Sequence, residues 1–152
     1  MERVDARLAE LGIVLPEVFP PAGNYVSSSL TGDLLFVGGH GPVNGSNIVV
    51  GKVGSDLTLE QGRDAARITA LSLLATMRAD LGSLDRVEQI VKVFGMVNVG
   101  GSFDQTPAVI DGCSDLLVEV FGDQGRHTRS AVGMAALPFG IAVEIELIAR
   151  VS

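Results

Sequence analysis

Two side chains near the C-terminus bring chemistry that plain core strands do not need. Arg129 stands at the mouth of a short apolar stretch, Ser130 to Ala136. Glu144 follows 15 residues later (144 − 129), near the start of an alternating stretch that runs from Val143 to Val151. A guanidinium offers a planar fork of N–H donors that holds a carboxylate bidentately, with stronger hydrogen bonds than neutral pairs make. A carboxylate within about 2.6–3.2 Å of a water can orient it and take its proton. Plainer roles are open to both: a surface ion pair for Arg129, and a pairing with Arg129 or Arg150 for Glu144. Upstream, Gly38, Gly39 and Gly41 surround His40. Glycines let backbone approach a ligand closely, and they also mark a bulge or a strand end beside a packed helix. His40 has a side chain that titrates near neutral pH; it can equally close the strand end. The two His and one Cys are widely spaced and do not form a metal-ligand set.

These residues need strands to position them. Leu137-Pro138-Phe139-Gly140 turns the chain between the two C-terminal stretches, because Pro fixes φ and Gly accepts φ > 0. On the second strand Val143, Ile145, Leu147 and Ala149 take one face and Glu144, Glu146, Ile148 and Arg150 the other. If the two strands pair around the turn, Arg129 and Glu144 approach the same end of one sheet.

The remaining elements follow from periodicity and caps. Val4, Leu8 and Leu11 predict a short helix over 2–11, stopped by Gly12. Pro16, Pro20 and Pro21 exclude helix from 14–24. Tyr25 to Leu30 and Asp33 to Gly39 predict a hairpin around Thr31-Gly32, and the unbroken run Leu34-Leu35-Phe36-Val37 predicts a strand buried on both faces. Ile48 to Val50 is a candidate short strand. Thr58-Leu59-Glu60-Gln61 is a capping-box pattern opening a helix over about 59–81, with Ala66, Ala70, Leu73, Leu74, Met77 and Leu81 on its buried stripe. A strand over about Val87–Val97 follows. Thr106 and Pro107 suit the cap and first residue of a second long helix, whose stripe is Ile110, Cys113, Leu117, Val120 and Phe121. Cys113 on that stripe reads as a small core hydrophobe rather than a nucleophile. The sum is an α+β architecture: a mixed sheet of about six strands with two long helices on one face. The other sheet face is apolar and has no helix left to cover it.

Composition narrows the partners. The 152 residues suit one domain over 1–152, with residues 1–20 as an appendage. Hydrophobic residues make up 47% and charged residues 19%, which fits a well-filled core or, the reading favoured here, apolar surface buried between subunits. No run approaches the ~20 apolar residues of a membrane span. Eighteen acidic against eleven basic residues give a net charge of −7, and only two lysines occur. Nucleic-acid affinity depends on cations that neutralise phosphates, so this balance argues against RNA as the main ligand. The single Cys113 excludes an internal disulfide, and the charged N-terminus lacks a secretory core; both favour the cytoplasm.

Two blocks of residues carry a resemblance. Arg129-Ser130, the apolar strand to Ala136, Leu137-Pro138 and Val143-Glu144-Ile145-Glu146 resemble the C-terminal signature of the Rid (reactive intermediate deaminase) or YjgF family, labelled endoribonuclease L-PSP in older usage. Gly23-Asn24-Tyr25-Val26 and Leu35 to Val43 resemble its N-terminal block. The resemblance spans roughly Pro21 to Val151. It implies a chorismate-mutase-like fold, a homotrimer and clefts between neighbouring subunits. It implies hydrolysis of small 2-imino or enamine acids to 2-oxo acids and ammonia, without metal or organic cofactor. Arg129 would hold the substrate carboxylate and Glu144 would activate water. Tyr25, Gly39, His40 and Ser130 would line the cleft, His40 standing where the family usually has Gln. The alternatives on the same scaffold are a non-catalytic 2-oxo acid binder and, less favoured by the charge, a ribonuclease or translation inhibitor. The sequence also departs from the pattern. Ala131 replaces a Cys that many members carry, the segment over 99–128 is longer, and Pro107 stands nearest by count to a cleft Asn. These departures and the N-terminal extension mark a divergent branch.

Overall fold

In the computed structural model, which describes residues 3–152, the hairpin forms around the expected turn. Strand β1 (Ser28–Thr31) pairs antiparallel with β2 (Leu34–His40), and Gly32 supplies the left-handed residue with φ 62°. A two-residue ribbon follows, β3 (Val43–Asn44) with β4 (Asn47–Ile48). The short strand expected at 48–50 is therefore shifted: Val50 makes only an isolated bridge, to Ile141. Helix α2 (Leu59–Leu81) opens on the capping box, with Thr58 accepting from Gln61 N–H and the Gln61 side chain accepting from Thr58 N–H. Strand β5 (Val87–Asn98) leads to helix α3 (Thr106–Phe121), then β6 (Thr128–Met134) and β7 (Val143–Val151).

The main sheet has the order β1-β2-β7-β5-β6, antiparallel except for β5 and β6. This corrects the simplest reading of the C-terminus. β6 and β7 do not pair around the Leu137–Gly140 turn, because β5 lies between them and pairs with both. The α3 crossover makes β6 parallel to β5, as a βαβ connection requires.

Helices α2 and α3 cover one face. Ala66, Ala70, Leu73, Leu74 and Met77 of α2, with Ile110, Cys113, Leu117, Val120 and Phe121 of α3, are buried against Val93, Val97, Val143, Ile145, Leu147 and Ala149. The two helices touch closely: a Cβ at Gly112 would lie 2.1 Å from the Arg63 carbonyl oxygen. The opposite face has no helix. Phe36 is 42% exposed there and Val132 37%, with Phe94, Met96 and Ile148 beside them. The run Leu34–Val37 is thus buried on the helix side alone, through Leu35 and Val37.

Two further expectations shift. Gln105, not Thr106, occupies the cap of α3; Thr106 is the first helical residue, and its hydroxyl donates to Ala131 O (3.0 Å), tying the helix start to β6. Helix α1 (Arg3–Glu10) ends one residue short of the expected 2–11 range. Val4 and Leu8 are buried, Asp85 accepts from Arg3 N–H (2.7 Å) and Val4 N–H (2.8 Å), and Asp5 and Arg7 reach Arg78 on α2 and the Glu119 carbonyl on α3. Residue 2 of the expected helix lies outside the described residues. Among the described residues no helix is long and apolar enough to cross a membrane.

Candidate functional site

Glu144 sits on the open face of β7, in register with Met96. Its carboxylate presses on Gly39 of β2: a Cβ there would stand 2.6 Å from Oε1 and 3.0 Å from Cδ. The bulge between Val37 and His40 places that glycine. Gly39 therefore serves close approach, but the approaching group is the chain's own acid. Burial raises the Glu144 pKa above its ordinary value, and the neighbouring Glu146 charge adds to the rise. The carboxylate is thereby suited to accept a proton nearer neutral pH than a free glutamate does.

β7 reaches this place through a pinned turn. Pro138–Gly140 forms one 3₁₀ turn, with Phe139 at φ 58° and Gly140 at φ 70°. Lys52 Nζ donates to Ala135 O (2.6 Å) and to Asn98 Oδ1 (2.8 Å), and Asn98 Nδ2 donates to Ile141 O (3.2 Å). Asn98 is buried, so this staple satisfies a group that would otherwise be costly.

Arg129 lies elsewhere. It pairs with Val93, which pairs in turn with Leu147, so its side chain shares the helix-covered face. Arg129 Nη1 donates to Asp111 Oδ1 (2.7 Å) and to Ser114 Oγ (3.1 Å), both on α3. Glu144 is on the opposite face, three rows further along and two strands away. That is about 10 Å along the strands and about 10 Å across them. Ser130, next to Arg129, faces the open side with Phe94 and Glu146. One copy of the chain does not bring the cationic fork and the acid together.

Tyr25 is not in a strand. It lies ahead of β1, 61% exposed, and its hydroxyl accepts from Ala22 N–H (3.2 Å) across a turn. With Gly39, His40, Ser72 and Thr76 it lines a cavity of about 290 Å³ between the Pro-rich segment and α2. His40 is held at both nitrogens. Gly38 O, 2.7 Å from Nδ1, only accepts, so Nδ1 carries the proton and Nε2 accepts from Thr76 Oγ1 (2.8 Å). Burial lowers its pKa, against the opposing pull of the Gly38 bond and the Asp80 charge.

A second histidine repeats this arrangement beside Arg129. His127 Nδ1 donates to Gly125 O (2.7 Å), and Nε2 accepts from Ser114 Oγ (2.9 Å). Burial lowers its pKa, and the Arg129 charge lowers it further despite the Gly125 bond. Sequence reasoning singled out none of Asp111, Ser114 and His127. The available signal was the pair of Gly-x-His tripeptides, Gly38-Gly39-His40 and Gly125-Arg126-His127. Cys113 is fully buried and its thiol is pushed up to about 12, which keeps it a core hydrophobe. No cluster of three or more potential metal ligands occurs among the described residues.

Residues 5–151 match the family model described as "YjgF/chorismate_mutase-like, putative endoribonuclease". The chain belongs to the YjgF family. A Trypanosoma cruzi relative, Protein TCP17, is 45% identical over 99% of this chain and 95% of its own length. The crystal structure of Atu1372 from Agrobacterium tumefaciens, a protein of unknown function, has 38% identity and a TM-score of 0.91, covering 98% of this chain and 92% of its own. A Shewanella oneidensis structure carrying the same endoribonuclease description has 33% identity and a TM-score of 0.95, covering 99% of this chain and all of its own (100%). The high TM-scores extend over the N-terminal helix as well, so this YjgF chain shares its α1-bearing form with these relatives.

Proposed function

We propose that the chain, assembled as a homotrimer, hydrolyses small 2-imino or enamine acids to 2-oxo acids and ammonia. The observation that carries this reading is Glu144, half-buried with a raised pKa, set in the notch that Gly39 leaves on the open sheet face. The apolar open face supports contact between copies, and an Arg129 from a neighbouring copy would complete the site. The substrate carboxylate binds the guanidinium. Water attacks the carbon of the protonated imine, the C=N π electrons move to nitrogen, and Glu144 takes a water proton. Glu144 returns that proton to the carbinolamine nitrogen, then takes the hydroxyl proton as C=O forms, the C–N bond breaks, and ammonia leaves. Imines are already electrophilic, so positioning and proton transfer supply the acceleration. Ser130, Tyr25 and His40 are proposed as further lining residues of the same cleft.

The test is an assay in which an amino-acid oxidase generates 2-iminobutanoate. Glu144→Gln and Arg129→Ala are both expected to bring imine loss down to the uncatalysed rate, with circular dichroism unchanged. Native rates in either variant reject the reading. Binding without turnover is the second reading, favoured by the separation of Arg129 from Glu144 within one chain. Tight 2-oxobutanoate binding by a protein inactive on imines would select it. The endoribonuclease in the family's description is not carried over, because the net charge of −7 argues against RNA as the main ligand.

A further inference from the structure

Among the described residues every side-chain hydrogen bond of Arg129 is made by one nitrogen. Nη1 carries two hydrogens, and Asp111 and Ser114 use both. Among the described residues Nε and Nη2 have no partner, and these two form the edge that binds a carboxylate with parallel hydrogen bonds. We propose that Asp111, Ser114 and His127 are positioning residues that clamp the Nη1 edge of Arg129 and present its Nε/Nη2 edge to a carboxylate-bearing ligand. The inference rests on the functional reading above only in taking Arg129 as the carboxylate holder.

The clamp has a fixed direction. The Gly125 carbonyl takes the Nδ1 proton of His127, so Nε2 accepts the Ser114 hydroxyl proton. The Ser114 oxygen is then left with lone pairs for Arg129. Among the described residues no other arginine–carboxylate pair has such a second tier. The Arg129 side chain is 23% exposed, whereas the other paired arginines are 41–71% exposed. A long side chain immobilised before the ligand arrives spares binding that ordering cost. The arrangement thus favours affinity for carboxylates, not turnover.

NMR titration with 2-oxobutanoate, and with 2-oxobutanamide as the analogue lacking the carboxylate, tests this. Ser114→Ala places the best helix former in mid-helix, so the fold is not at stake. It should weaken 2-oxobutanoate binding about tenfold, the scale of one charged-group hydrogen bond, and leave 2-oxobutanamide binding unchanged. Ser114→Thr, which keeps the hydroxyl, should restore affinity. His127→Asn should act like Ser114→Ala, and the double variant Ser114→Ala/His127→Asn should be no worse than either, because both break one chain of bonds. Equal weakening of both ligands, or no change for either, overturns the clamp. A native protein that binds 2-oxobutanoate but shows no imine hydrolysis removes the deaminase reading and leaves the clamp standing. A native protein that binds neither ligand overturns both.

Discussion

The two histidines are anchored in the same way but serve different neighbourhoods. Each follows a glycine by two residues, donates Nδ1–H to that glycine's carbonyl and accepts at Nε2 from a hydroxyl on a long helix. His40 ties β2 to Thr76 of α2, and His127 ties the entry of β6 to Ser114 of α3. The difference lies one bond further out. The Thr76 hydroxyl is buried and, among the described residues, bonds to His40 alone, whereas that of Ser114 also accepts from Arg129. An identical local device is therefore a strut in one place and a support for a charged group in the other. What distinguishes them is what the hydroxyl meets next, not the histidine.

The largest contrast should appear in ligand turnover. Arg129→Ala removes two charge-assisted bonds to substrate and is expected to lower kcat/KM for 2-iminobutanoate by at least about a hundredfold. Thr76→Ala, which acts on the cleft only through His40, should lower it by less than about tenfold. Comparable losses in both would erase the distinction between the two ends of the sheet.

Stability should rank them in the reverse order. Thr76→Ala strands the half-buried His40 Nε2 and is expected to cost about 1–3 kcal/mol in urea denaturation. Ser114→Ala leaves Arg129 its Asp111 partner at a partly exposed site and should cost under about 1 kcal/mol. Gly39→Ala belongs with the mild group: it pushes aside the flexible end of Glu144, so activity should fall more than stability.

pH dependence shows what the histidines share. Both have folded-state pKa values below 6.5, mainly through burial. The unfolded chain then binds more protons below that value, so stability is full above about 6.5 and falls as pH drops toward the lowered values. Thermal melts from pH 7.5 to 5.5 should show this decline, and His40→Gln and His127→Gln should each flatten it. The smallest effect is the most selective. Saturating 2-oxobutanoate should raise the NMR titration midpoint of His127, because a carboxylate offsets the Arg129 charge. No rise at His127 would place the ligand away from Arg129.

Local signals made much of the fold legible. The Thr58–Gln61 box, the apolar spacing of 66–81 and the alternation from Val143 to Val151 each act within a few residues, and each element formed where they indicated. Arg129 and Glu144 were legible as residues but not as a pair, since nothing local shows that α3 returns the chain to the far side of β5. Phe36 misled for a related reason: an unbroken apolar run does not say whether both faces are covered, and Phe36 stands 42% exposed. The Ser114–His127–Arg129 chain joins a mid-helix position to a strand 13–15 residues on, a separation without a periodic signature.

The placement of Arg129 and Glu144 on opposite faces of one sheet implies genetic complementation. If neighbouring copies each contribute one of the two groups, Arg129→Ala chains and Glu144→Gln chains are separately inert. Unfolded together and refolded as a mixture, some of their seams would receive an intact arginine from one parent and an intact glutamate from the other. Activity recovered from two dead proteins would be the signature of a workshop shared between chains.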